Sequence, residues 1–74
     1  MQVFIKTLAA QTMVVYMEPW VTVEELEEQV SALTRVPRKF FRLMSQGRYL
    51  VTRSATLKES GVGPDANVSM MVRM

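Results

Sequence analysis

Two runs near the start of the chain alternate between apolar and other side chains. In residues 2–6, Val3 and Ile5 alternate with Gln2, Phe4 and Lys6, and in residues 12–17, Met13, Val15 and Met17 share one face. A period of two is typical of a β-strand with one buried face. Because only residues 7–11 separate the runs, we expect an antiparallel hairpin.

After the second run, the apolar residues recur at the spacing of a helix. Thr22 and Glu25 have the spacing of a capping box, in which each residue's side chain bonds the other's backbone amide. Early glutamates also complement the positive end of the helix dipole. We expect a helix over residues 23–33, finished before Pro37. Its apolar stripe consists of Val23, Leu26, Val30 and Leu33, with Val21 packing against Leu26 before the first turn.

Shorter elements are expected in the second half of the chain. The pattern predicts strands at Phe41–Ser45 and at residues 49–50, joined by a turn at Gln46 and Gly47. Residues 56–59 can form one helical turn, and residues 68–73 alternate again. The predicted order is β-β-α-β-β-β, an α+β domain over residues 1–74 in which one helix covers one mixed sheet.

Composition narrows the function classes. The 74 residues include no cysteine and no histidine, so the chain lacks thiolate and imidazole ligands and the usual general base. No nucleophile is accompanied by an activating base. We therefore expect a non-enzymatic protein without metal or cofactor. No apolar run is long enough to span a bilayer and no signal peptide begins the chain, which favours the cytoplasm or nucleus.

Charge is unevenly distributed although the net charge is only +2. Four glutamates lie in residues 24–28, and no carboxylate occurs between Arg35 and Arg53. The basic residues of that interval are interleaved with Phe40, Phe41 and Tyr49, of which we expect Phe41 to be partly buried. Six positive charges without neighbouring carboxylates would favour a phosphate backbone, and a solvated face is the alternative.

Many residues of this sequence, taken in order along the chain, resemble those of the ubiquitin family. They include the opening Met1-Gln2-x-Phe4-x-Lys6-Thr7-Leu8, then Thr12, Glu18-Pro19, Thr22, Glu24, Pro37, Arg42-Leu43, Gly47, Leu50, Thr56-Leu57 and Arg73. The similarity covers the whole chain, with one additional residue in the loop of residues 51–55. It implies a β-grasp fold, in which a sheet of about five strands packs on one helix.

The same resemblance implies a core at positions that are all apolar here: Met1, Val3, Ile5, Met13, Val15, Met17, Val23, Leu26, Val30, Leu43, Leu50, Leu57, Val62, Val68 and Met70. It also implies backbone with positive φ at Ala10 and Arg35, where family members place glycine. Trp20, just before the helix, is expected to pack as a lid.

Departures from the family bear on its chemistry. Ubiquitin is activated through a C-terminal diglycine, whereas this sequence ends at Arg73-Met74. Of the acceptor lysines only Lys6 is in place, and Arg48 stands at a chain-linkage lysine, with the charge but not the nucleophilic amine. We therefore expect a moiety that is not conjugated.

Candidate binding residues follow from the resemblance. Leu8, Met44 and Met71 match the apolar patch that small receptor helices bind, and Ser69 stands where that patch has a histidine. Ordinary surface apolar residues are the alternative. A candidate basic surface comprises Arg42, Arg48 and Arg73, and an outer face of the hairpin comprises Phe4, Val14 and Tyr16.

Three functional hypotheses remain open. The first is a non-conjugatable moiety, N-terminally fused to a small-subunit ribosomal protein, with a structural or chaperone-like role near ribosomal RNA. The second is an interaction domain that binds ubiquitin receptors or the proteasome. The third is a ubiquitin variant selected to inhibit a ubiquitin-handling enzyme, which the altered core positions Met13 and Met17 disfavour. In each case we expect a monomer that does not bind membranes.

Overall fold

The computed structural model describes residues 1–73. Its elements in chain order are β1 (Gln2–Lys6), β2 (Thr12–Tyr16), α1 (Val23–Thr34), a short 3-10 helix (Arg38–Phe40), β3 (Phe41–Ser45), β4 (Arg48–Tyr49) and β5 (Asn67–Val72). The predicted hairpin, helix and element order are confirmed. The 3-10 helix was not predicted.

The five strands form one sheet in the order β2-β1-β5-β3-β4. β1 pairs antiparallel with β2 and parallel with β5. β3 pairs antiparallel with both β4 and β5. The last strand therefore lies between the two halves of the chain, and the predicted mixed sheet on one helix is confirmed.

The core lies between α1 and one face of the sheet. Its buried members are Val3, Ile5, Val15, Val23, Leu26, Val30, Phe41, Leu43, Leu50, Leu57, Val62, Val68 and Met70, and Met1, Met13, Met17, Val21, Val36 and Ala66 pack against it. Each fully buried side chain contributes roughly 1.5–3 kcal/mol before entropy is counted. The predicted core is confirmed in composition, with its three N-terminal methionines half-buried at the margin.

Three apolar side chains were misplaced by the sequence analysis. Phe41 is fully buried, because it alternates with Leu43 on the helix-facing side of β3. Leu33 is exposed, because the last turn of α1 extends past the core. Trp20 is 69% exposed, and Val21 packs against the core in its place, so the expected lid is wrong.

The cap of α1 forms largely as predicted. The Glu25 amide donates to the Thr22 hydroxyl at 3.2 Å. The hydroxyl in turn donates to the Glu25 carboxylate at 3.2 Å, so that carboxylate bonds the side chain of Thr22 and not its amide. The helix start is thereby held at Thr22.

A complete reciprocal cap occurs further along the chain. The Thr56 amide donates to Glu59 Oε1 at 2.8 Å, and the Glu59 amide donates to Thr56 Oγ1 at 3.1 Å. The predicted single turn is present here, closed by a bond from the Ser60 amide to the Thr56 carbonyl at 3.0 Å. The backbone amide and then the side chain of Thr56 lower the pKa of Glu59. This contact thus stabilises the fold at neutral pH and is lost as pH falls through the lowered pKa.

Left-handed backbone occurs at both positions where the resemblance implies it. Ala10 has a φ of 62° in the β1–β2 turn, and Arg35 has a φ of 61° at the end of α1. The Arg35 amide closes the helix on the Ser31 carbonyl at 2.8 Å. A side chain with a Cβ is strained in this region by about 1 kcal/mol.

Replacing either residue by glycine should therefore stabilise the domain. Arg35→Gly and Ala10→Gly each relieve the Cβ clash, and the greater freedom of glycine in the unfolded chain offsets part of the gain. A net gain of about 0.5 kcal/mol corresponds to a rise in Tm of roughly 2–4 °C. Differential scanning calorimetry measures it.

Two controls isolate the backbone effect. Arg35→Ala removes the long side chain but keeps the Cβ, so it should not raise the Tm. Ala9→Gly changes the neighbouring turn residue, whose φ is not positive, and should lower the Tm. Equal gains from Arg35→Ala and Arg35→Gly would show that strain at this cap is not the cause.

Candidate functional site

The candidate apolar residues occupy the sheet face that points away from α1. The side chains that alternate with the buried positions project from this face. The strand register places Lys6, Ser69, Met44 and Tyr49 side by side across four strands. Met71 lies two positions beyond Ser69 on the same face of β5. We call this the outer face.

Leu8 joins these residues from the β1–β2 turn. Leu8 is 41% exposed and Met71 is 37% exposed, whereas Met44 and Ser69 are half-buried. Leu8, Ser69 and Met71 share the wall of a shallow depression of about 390 Å³. Met44 adjoins it, directly opposite Ser69 in the ladder. The structure thus brings the four predicted patch residues together, and we call them the apolar patch.

Cationic side chains flank the apolar patch. Lys6 lines the same depression, and Arg42 lies directly opposite Met71 in the β3–β5 ladder. Lys6 was not among the residues predicted for this surface. The spacing of two residues between Arg42 and Met44 is the signal that places both on one side of β3.

The three predicted basic residues do not form one surface. Arg42 and Arg73 line a depression of about 390 Å³ at the β4 edge, together with Arg53. The Arg42 guanidinium carbon lies 5.4 Å from the Tyr49 ring centroid, which holds it against an aromatic face. Arg48 is opposite Ser45, on the other side of the sheet, and lines a separate depression with Lys58.

We expected the six cationic side chains of residues 35–53 to lack neighbouring carboxylates, and this expectation is wrong. Arg38 lies between three glutamates of α1, at 3.8 Å from Glu24 and 3.4 Å from both Glu27 and Glu28. Arg53 Nε lies 3.2 Å from Glu27 Oε1. Because the chain after α1 folds back across its acidic face, residues distant in sequence neutralise one another.

Glu27 is the centre of this network. Its side chain is only 6% exposed, and one carboxylate oxygen faces both Arg38 and Arg53. Glu27 was not distinguished in the sequence from the other glutamates of residues 24–28. Glu27 follows the buried Leu26 directly in α1, and this position in the sequence indicates a side chain beside the core.

Other chemistry is not assembled in the described part of the chain. Residues 1–73 contain no cluster of three or more histidine, cysteine, aspartate or glutamate side chains that could hold a metal ion. Neither helix in those residues has the length and apolar character needed to cross a bilayer.

Comparison with known proteins decides the family. The model of the Ubiquitin family matches residues 3–74, nearly the entire chain. The chain belongs to the ubiquitin family. A solved structure of a protein designed on the basis of ubiquitin is similar to it with a TM-score of 0.87 and 30% sequence identity, covering 97% of this chain and 87% of that one. The search among curated proteins found no match.

The Glu27 network should contribute to the stability of this ubiquitin-family domain. Glu27→Gln removes a buried charge and leaves two guanidinium groups facing each other, so it should lower the free energy of unfolding by about 1–2 kcal/mol. Urea denaturation measures the loss. Glu24→Gln is the matched control, because Glu24 is exposed and 3.8 Å from Arg38; it should change stability by less than about 0.5 kcal/mol. Equal effects from the two variants would contradict the central place of Glu27.

Proposed function

We propose that this chain is a non-catalytic interaction domain that binds amphipathic helices of ubiquitin receptors through the apolar patch. The observation that carries the proposal is the exposure of Leu8 and Met71 around one depression, with Met44 and Ser69 beside it. Ubiquitin-like domains generally mediate protein interactions, so a contiguous apolar surface on this fold is a candidate for that role.

The make-up of the apolar patch indicates the kind of helix it accepts. Two of its side chains are methionines, whose unbranched chains adapt to partners of differing shape. Leu8 stands at the tip of a turn and contributes apolar area at the rim. A helix with a short stripe of apolar residues at i and i+4 would bury its stripe against these side chains.

The flanking charges add a preference. Lys6 and Arg42 border the apolar patch, and no described carboxylate forms an ion pair with either. Acidic residues beside the apolar stripe of a helix would therefore be favoured, and basic residues would be repelled. The affinity should fall as salt rises, because such exposed contacts are screened.

Titration with a synthetic amphipathic helix tests the interaction domain. With a peptide that carries acidic residues beside its apolar stripe, NMR chemical-shift changes should concentrate at Leu8, Met44, Ser69 and Met71. Leu8→Ala and Met71→Ala should each weaken binding by roughly tenfold, as for a central interface side chain. Trp20→Ala removes a larger exposed apolar side chain from another surface and should leave the affinity unchanged.

A peptide with basic flanks serves as the second control and should bind more weakly. Absence of shift changes at the four patch residues, or equal losses from Trp20→Ala and Leu8→Ala, would overturn the proposal.

A second candidate function is a moiety that stays fused to a small-subunit ribosomal protein and supports it structurally or as a chaperone. Its support is the set of three arginines Arg42, Arg48 and Arg73, which lie in two separate depressions. In residues 1–73 no carboxylate lies within 4.0 Å of the charged groups of Arg42, Arg48 or Arg73. Unpaired arginines are suited to phosphate oxygens of RNA. Arg48 also lacks the amine that chain building at that position would require.

Sedimentation of extracts from cells that express the gene, at increasing salt concentrations, tests the proposed fusion to a ribosomal protein. The product, detected through an N-terminal tag, should be larger than 8.5 kDa and should sediment with small ribosomal subunits. Arg42→Glu with Arg73→Glu should lower the salt concentration at which it dissociates, and Lys39→Glu, a cation outside that depression, should not. A free product of 8.5 kDa that stays at the top of the gradient would contradict the fusion.

A further inference from the structure

The two edges of the sheet differ in protection. β4 is an edge of only two residues and carries Arg48, and a short charged edge strand resists pairing with another chain. β2, the opposite edge, is five residues long and contains neither charge nor proline. Its pairing with β1 runs without a bulge from Gln2 opposite Tyr16 to Lys6 opposite Thr12. None of the usual devices that protect an edge is present on β2.

The backbone of β2 has unused hydrogen-bonding groups in a regular row. Met1 and Met17 exchange backbone hydrogen bonds at 2.9 Å, and the Thr7 amide bonds the Gln11 carbonyl at 2.7 Å. Hydrogen-bonded pairs alternate with non-bonded pairs in an antiparallel ladder. The amides and carbonyls of Thr12, Val14 and Tyr16 therefore point to the open side of the sheet. Within residues 1–73, only β1 pairs with β2.

Side chains do not obstruct this edge. Val14 is 43% exposed and Tyr16 is 77% exposed on the outer face of the hairpin, as the sequence analysis predicted for that face. Both have high β-propensity. The segment is thus an uncharged apolar strand with an available backbone, the combination that favours addition of another strand.

We propose that the β2 edge pairs antiparallel with the β2 edge of a second copy of this chain, joining two sheets into one. With Val14 opposite Val14 and Thr12 opposite Tyr16, every outward-facing amide and carbonyl of the three residues finds a partner. The arrangement is twofold symmetric, as a homodimer interface requires.

Charge favours a second copy over a charged peptide. Lys6 and Glu18 are the only charged side chains in the first eighteen residues. In this register Glu18 of each copy lies opposite Ala10 of the other, and Lys6 lies one strand further in at the same end, opposite Thr12. The strand itself offers no charge that would select an acidic or basic ligand.

The dimer is expected to be weak. A five-residue edge buries less area than the roughly 1,000 Å² of a stable interface, so association should be detected only at high protein concentration. This inference replaces the expectation of a monomer. It goes beyond the proposed function, because the interface lies at the β2 edge and the apolar patch lies on β3, β5 and the turn.

Sedimentation velocity at concentrations from about 10 μM to 1 mM tests the proposal on the 74-residue chain, with NMR spectra of the same samples. The mass should rise from monomer to dimer, and the amides of Thr12, Val14 and Tyr16 should shift with concentration. Val14→Lys places like charges opposite each other and should weaken association by roughly tenfold or more. Asn67→Lys adds the same charge in the same row of the outer face, on the central strand β5, and should leave the dimer intact.

Charge complementation defines the register. Val14→Lys and Val14→Glu should each be monomeric alone and should form a heterodimer when mixed. Circular dichroism establishes that the variants are folded, and Tyr16→Lys replaces Val14→Lys if the latter is not. A chain that stays monomeric at about 1 mM, a dimer that survives Val14→Lys, or a mixture that stays monomeric would each overturn the proposal.

Discussion

The parallel pairing of β1 with β5 is the interaction on which the rest of the structure depends. The Phe4 amide bonds the Ala66 carbonyl at 2.9 Å, and the register continues from Phe4 opposite Asn67 to Lys6 opposite Ser69. This contact closes nearly the whole chain into a loop. The loss of chain entropy is larger than for a local turn, because that loss grows with loop length. Once it forms, the β1–β2 hairpin and the β3–β4 hairpin extend one sheet, and α1 has a single apolar face to cover.

Surface properties follow from the same closure. Because β5 enters beside β1 and β3, Ser69 and Met71 are brought next to Met44, and the turn with Leu8 completes the apolar patch. The chain that returns from α1 to β3 carries Arg38 across the glutamates of the helix. Arg38 and Arg53 thereby offset part of the negative charge of α1, and Arg42 and Arg73 lie outside these ion pairs. Because β5, β3 and β4 all join the sheet on the far side of β1, the outer side of β2 has no strand beside it in residues 1–73.

Local patterns predicted most of this fold. The spacing of Thr22 and Glu25 located the start of α1, and alternation located β1, β2, β3 and β5. Contacts between distant residues were not predictable in the same way. Glu27 pairs with Arg53, far along the chain, and Leu33 has the spacing of a buried residue although the core ends before it. The resemblance to ubiquitin supplied the apolar patch, while the division of Arg42 from Arg48 follows from strand register, which composition does not contain.

Native-state hydrogen exchange tests the central claim most directly. The account predicts that the Phe4 amide, bonded to Ala66 between β1 and β5, exchanges only when the whole domain unfolds. Its exchange free energy should then equal the free energy of unfolding from denaturation. In a dilute monomeric sample the Val14 amide, on the open edge, should exchange far faster. A Phe4 amide that exchanges as rapidly as that of Val14 would contradict the pairing that joins the two halves of the chain.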